Sequence, residues 1–286
     1  MKNQFFALAT IILLASCNNS QSASPDQKNS SAATADTTSK AVRVDAATSS
    51  KPVDNAAAIL ARKEVPILCY HHIKDVQELP KHNSGYTVTA SEFRETMKAL
   101  HDSGFHSVTP DQLYNYLAKG TTLPDRPVMI TFDDTDGEQF TIGKTELDKY
   151  GFKGVYFIMT ISIGRPRYMT KEQIKQLSDE GHTIGCHTWD HHMVTKYTGD
   201  DWVNQLDKPR KKLEEITGKS INYFAYPFGL WNEAAIPELK KRSYKLAFQL
   251  STKRDPQEPL YTVRRFIVAP EWSPNGVLRV MKNSFK

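Results

Sequence analysis

From Val65 onward the chain alternates short apolar runs with amphipathic stretches of helical period, and that alternation restricts it to very few folds. Val65-Pro66-Ile67-Leu68-Cys69-Tyr70 reads as a first buried strand ending at His71-His72. The stretch 91–103 then spaces Phe93, Met97 and Leu100 along one helical face, with Ser91 placed to cap its start and Gly104 to stop it. Further strands are expected at 105–108, 128–132, 154–158, 182–187, 223–226, 245–249 and 263–268. Helices are expected between them at 110–119, 142–149, 171–180, 202–217 and 234–242. Strands alternating with helices imply an α/β fold with a parallel sheet covered by helices. About seven such units suit a distorted, seven-stranded (β/α) barrel, with an open doubly wound sheet as the competing layout. Both layouts place functional groups beyond the carboxyl ends of the strands.

The first sixty residues have a different texture. Lys2 followed by the apolar stretch Phe5 to Leu14 has the form of an export signal. Leu14-Ala15-Ser16-Cys17 resembles the lipobox of bacterial lipoproteins. The resemblance implies a signal peptide over 1–16, lipidation of Cys17, and a membrane-anchored protein of the cell envelope, on its periplasmic or cell-surface face. Residues 17–63, rich in Ser, Ala, Thr, Asp and Lys, are expected to be a disordered tether, because they offer too little apolar surface to offset chain entropy. The folded domain is then 64–286. The net charge of +5 is too small and too dispersed for a nucleic-acid binder, so no nucleic-acid partner is expected. Cys69 and Cys186 sit in apolar strands and are expected as buried free thiols, with Cys186 facing away from whatever His187 holds.

Chemistry-bearing residues collect at the strand ends. The run Val128 to Phe132 delivers Asp133-Asp134, and Thr183 to Cys186 delivers His187-Thr188-Trp189-Asp190-His191. Two imidazoles and one carboxylate are a ligand set for a borderline divalent metal with an open position for water. The remaining carboxylate can take a proton from that water.

On these residues the chain resembles the polysaccharide deacetylases of carbohydrate esterase family 4, which share the NodB-homology domain, over residues 65–270. Thr131-Phe132-Asp133-Asp134 is similar to the T-F-D-D motif, which implies Asp133 as general base and Asp134 as metal ligand. His187 and His191 match the two histidines of the H-[ST]-x-x-H motif and complete the triad. Tyr226-Pro227-Phe228-Gly229 is similar to the R-P-P-Y-G motif, implying a substrate-binding groove wall and a Phe228 N–H aimed at the oxyanion. The motif's arginine is Ala225 here, and Arg264 or Arg265 from a later strand is expected to supply the missing charge. The family's late histidine has no match, the last histidine being His192, so the proton donor is expected to be His71, His72 or protonated Asp133, with His71 the first choice. Tyr70-His71-His72-Ile73 and Ala-Tyr-Pro-Phe-Gly resemble the subgroup acting on poly-β-1,6-N-acetylglucosamine.

The resemblance thus implies a metal-dependent hydrolase removing N-acetyl groups from an amino-sugar polysaccharide. Its cofactor is expected to be zinc (Zn2+), with Ni2+ or Co2+ as substitutes. Peptidoglycan, chitin oligomers and O-acetylated xylan are alternative substrates, and a non-catalytic carbohydrate-binding protein on the same fold is the alternative outside enzymology. Trp189, Trp231, Tyr226 and Phe228 are aromatic candidates for stacking on sugars, and Asp190 is expected to form a turn.

Overall fold

The computed structural model describes residues 53–75, 85–250, 253–270 and 272–285. In chain order the elements are α1 (Ala56–Ala61), β1 (Ile67–Tyr70), β2 (His72–Lys74), β3 (Thr87–Thr89), α2 (Ala90–Asp102), β4 (His106–Ser107), α3 (Pro110–Lys119) and β5 (Pro127–Phe132). A π-helical stretch, Gln139–Lys144, leads into α4 (Thr145–Lys149), followed by β6 (Gly154–Ile158), α5 (Lys171–Asp179) and β7 (Thr183–Cys186). A second π-helical stretch, Val203–Asp207, opens α6 (Lys208–Thr217). Then come β8 (Tyr223–Ala225), α7 (Ala235–Lys241), β9 (Leu246–Phe248), β10 (Phe266–Ile267) and α8 (Pro274–Ser284).

Seven strands run in parallel in the order β10-β1-β5-β6-β7-β8-β9, with β4 added beside β5. A parallel bridge between Phe248 and Val263, just ahead of β10, joins the two edges of this path. The result is the expected distorted (β/α) barrel. Helices form its outer layer, where Phe93, Ile174, Leu213 and Val277 pack on alternate strand residues such as Ile130, Phe132, Tyr156 and Phe224. The intervening residues, including Met129, Val155, Phe157, Ala225 and Phe248, form a second core against Ile59 of α1 and Leu113 and Leu117 of α3.

This alternation decides what reaches the site. Met129, Thr131 and Asp133 share one face, as do Ile67, Cys69 and His71 on the neighbouring strand, whose register pairs Cys69 with Thr131. Cys186 belongs to the outer core, so His187, one residue on, turns inward. Both Cys69 and Cys186 are buried free thiols.

Several expectations need correction. Residues 53–63 belong to the folded body rather than to a tether: Asn55 caps α1, Ile59 is buried, and Arg62 donates to the Leu117 carbonyl at 2.6 Å. Buried Ile59 and the Arg62 guanidinium dock a short helix that otherwise reads as alanine-rich. The cap of α2 is Thr89 rather than Ser91, in a reciprocal capping box with Glu92. Helix α8 is present although none was expected; Ser273 caps it and Val277 and Met281 bury one face. The proposed signal peptide, Cys17 and the tether up to residue 52 lie outside the described residues. Among the described residues no helix is long and apolar enough to cross a membrane.

Candidate metal centre and active site

Asp134, His187 and His191 converge as the sequence implied. The Asp134 Oδ1 lies 3.5 Å from the His187 Nε2 and 3.5 Å from the His191 Nε2. Ligand atoms 2.0–2.1 Å from a tetrahedral zinc stand about 3.3–3.4 Å apart, so the separations suit one shared cation. The chain arranges this with backbone conformations that side chains rarely adopt: φ is 73° at Asp134, 67° at Thr188 and 67° at His191. A Thr188 hydroxyl accepting the His191 N–H at 3.0 Å holds the loop closed.

Hydrogen bonding fixes the tautomer. Burial opposes a charge on His187, yet Asp133 and Asp134 outweigh it and raise its pKa. Its Nδ1–H donates to the Ala225 carbonyl at 2.8 Å, which turns Nε2 toward Asp134. That Nε2 and the Asp134 Oδ1 are buried and have no hydrogen-bond partner among the described residues. Burial would raise the Asp134 carboxyl, but His187, His71 and His191 bring it down to about 2. Burial, together with neighbouring His187, takes His191 down to about 4, so its ring is neutral near neutral pH. Two imidazole nitrogens and one carboxylate oxygen, two of the three atoms orphaned and buried, fit a borderline divalent cation such as zinc.

Asp133 stands beside this triad, with its Oδ2 3.9 Å from the His187 Nε2. Its partner is Arg265, fully buried, whose Nη1 and Nη2 reach Oδ1 and Oδ2 at 2.7 and 2.8 Å. Burial opposes the charge on Asp133, yet Arg265 and His187 outweigh it and hold the carboxyl well below the usual range. Nη1 of Arg265 also donates to the Thr131 hydroxyl at 3.1 Å. Arg265 is therefore the arginine missing at Ala225, while Arg264 points elsewhere and pairs with Glu64. The alternation of β10 explains the choice: Phe266 packs in the outer core, so Arg265 points in.

The two histidines after β1 separate. His71 faces the site, where a ring nitrogen, the Cys69 sulfur and an Asp133 oxygen lie within 4.8 Å of one another. Burial lowers its pKa, and Asp133 and Asp134 offset this only in part. His72 instead pairs with buried Asp136, whose hydrogen bond raises the His72 pKa. Cys69, read only as a buried thiol, also lies 3.6 Å from the Asp133 Oδ2, and the β1 parity that places His71 was the signal for it.

The 226–229 segment does not act as four groove residues. Tyr226 is fully buried, and its hydroxyl donates to the Tyr261 carbonyl at 3.0 Å, so it is a structural residue and not a sugar contact. Pro227 and Gly229 are buried too; a Cβ at Gly229 (φ 68°) would lie 2.6 Å from that of Leu250. Only Phe228 projects, 55% exposed, with φ 60° and its ring centroid 4.4 Å from that of His191. Trp189 is 44% exposed beside the same ligands, whereas Trp231 is partly buried and donates to Gln249 at 3.0 Å. Asp190 does form a turn, accepting the His192 N–H at 3.2 Å.

Residues 120–247 match the family described as polysaccharide deacetylase. The chain is 29% identical over 273 residues to YxkH of Bacillus subtilis, covering 94% of this chain and 93% of that one. It is 28% identical over 208 residues to the poly-beta-1,6-N-acetyl-D-glucosamine N-deacetylase of Staphylococcus aureus, covering 67% and 71% of the two chains. The fold is shared with the deacetylase PplD of Streptococcus pyogenes at TM-score 0.70 and 23% identity, over 76% of this chain and 98% of that one. With this match across β5 to β9 and the shared fold around it, residues 120–247 carry a polysaccharide deacetylase domain of NodB type, the domain of amide-cleaving hydrolases.

Proposed function

We propose that this chain removes N-acetyl groups from an N-acetylglucosamine polysaccharide of the cell envelope, with a divalent cation held by Asp134, His187 and His191. The observation that carries the reading is the convergence of two orphaned, buried ligand atoms beside a free, arginine-clamped carboxylate. Zinc is the expected occupant, with nickel or cobalt as substitutes. Such a cation, when bound, supplies Lewis acidity to water and to the acetyl carbonyl. The residues do the rest. Asp133, ionised and held at both oxygens, takes the proton of the attacking water. His71, neutral at rest and with a ring nitrogen within 4.8 Å of an Asp133 oxygen, relays it to the departing amine. Phe228, over the His191 ring, offers its N–H to the oxyanion and its side chain to the sugar.

The similarity to the staphylococcal poly-β-1,6-N-acetylglucosamine deacetylase favours that linkage over chitin, peptidoglycan or xylan. The N-terminal signal and Cys17 support an exported, lipid-anchored enzyme. Acetate release from β-1,6- and β-1,4-linked N-acetylglucosamine oligomers, peptidoglycan and acetylated xylan tests the reading. Preference for the β-1,6 oligomer is expected; release from xylan alone would contradict it.

A further inference from the structure

A second feature of the same rim has no part in the chemistry above. Between the loop after β6, the histidine loop after β7 and the first turns of α6 lies a cleft of about 480 Å³, lined by Thr160, Trp189, Asn204, Lys208, Pro209 and Lys212. Trp189, which lines it, belongs to the loop between His187 and His191, and its carbonyl accepts the Ile161 N–H at 2.8 Å. No acidic side chain lines the cleft. Lys212 is half-buried and donates to the Thr160 carbonyl at 3.0 Å, and Lys208 donates to Asn204 at 2.7 Å. Neither lysine meets a carboxylate among the described residues. The carboxylate next to Trp189, Asp190, is already engaged by Gln205 at 2.8 Å. Burial and the nearby charges of Lys171 and Arg165 lower the Lys212 pKa, so this cation is crowded by cations. An anion bound beside this ammonium would offset the like-charge repulsion.

We propose that this cleft is an oxyanion subsite for the polymer, in which Trp189 lies on a sugar ring and Lys208 and Lys212 hold a carboxylate or phosphate carried on that sugar or its neighbour. The inference rests on the deacetylase reading and deepens it: the enzyme acts next to anionic substituents. A saccharide stacked on Trp189 sits beside the ligands of the metal centre, so an anion captured there registers the neighbouring N-acetyl group over the cation site.

Calorimetric titration of the zinc-loaded chain with neutral, carboxylated and phosphorylated N-acetylglucosamine oligomers of equal length tests this. The anionic oligomers are expected to bind about tenfold tighter than the neutral one at low salt, with the advantage shrinking as salt is added. The tighter of the two anionic arms names the group. Lys208→Glu, and separately Lys208→Glu with Lys212→Gln, should bring the anionic-to-neutral affinity ratio to about one. The single change at the exposed Lys208 keeps the test valid if the double variant unfolds. Equal affinity of the wild-type chain for all three oligomers, or a ratio unmoved by Lys208→Glu, overturns the subsite. Acetate release from the neutral oligomer, followed in parallel, reports on the deacetylase reading alone.

Discussion

Arg265 and Asp133 form a bidentate ion pair inside the barrel, Nη1 to Oδ1 at 2.7 Å and Nη2 to Oδ2 at 2.8 Å, with both side chains buried. The last strand thereby fixes the carboxylate delivered by the third strand of the ring. Arg265→Met leaves a buried, unpartnered charge, and a loss of about 3–5 kcal/mol of unfolding free energy in urea is expected. Asp133 is held below its unfolded pKa, so the pair contributes stability that is fully present above about pH 4 and lost as pH falls through the folded value. In Arg265→Met only His187 and His71 still oppose burial, the carboxyl rises, and the variant should lose less stability on acidification than the wild type. Arg265→Lys keeps the charge without the fork, and kcat should fall by about 100-fold with a smaller change in KM.

Tyr226 supports the site from below. Tyr226→Phe removes one buried hydrogen bond to the Tyr261 carbonyl and should cost about 1–2 kcal/mol in thermal or urea unfolding. KM for an oligomeric substrate should not change. A rise in KM without loss of stability would restore Tyr226 to the groove.

Phe228 trades stability for contact. At φ 60° a non-glycine residue is strained, so Phe228→Gly should raise stability by up to about 1 kcal/mol. The same change removes the ring that meets His191 and is expected to raise KM for the oligomer. Opposite signs in the melt and in the KM are the expected signature.

His182 sets an acid limit on the fold. It is buried, its Nδ1 accepts the Gly154 N–H at 3.0 Å, and burial with nearby Lys153 takes its pKa down to about 4. The unfolded chain therefore binds this proton first. Stability is unaffected by His182 above about pH 6.5 and falls by up to roughly 3 kcal/mol as pH drops toward 4. His182→Gln should flatten this part of the urea-unfolding profile between those two pH values.

The barrel was legible because its strands are buried on both faces and bounded by capped helices, so Pro127–Phe132 and Gly154–Ile158 stand out as apolar runs. The triad was legible because Asp134 and His187 lie within two residues of such runs and His191 follows four residues later. Arg265 was visible only as one of two neighbours, since its role depends on a register between β10 and β1 that no local pattern encodes. Tyr226 was misread because a strand-end aromatic looks alike whether it faces inward or outward. Helix α1 was lost in an alanine-rich stretch whose one anchor, Ile59, meets partners far along the chain. Cys69 shows the limit from the other side: its burial and the face it shares with His71 were readable, its distance to Asp133 was not.

The direct test of the central claim is acetate release from an N-acetylglucosamine oligomer before chelation, after it, and after adding back zinc, with bound metal measured on the same samples. One equivalent of metal should co-vary with activity, and His187→Gln should lose both together. Asp133→Asn should keep the metal and lose turnover by a factor of at least about 100. Acetate release that persists in the metal-free wild type, or in metal-free Asp133→Asn, contradicts the account.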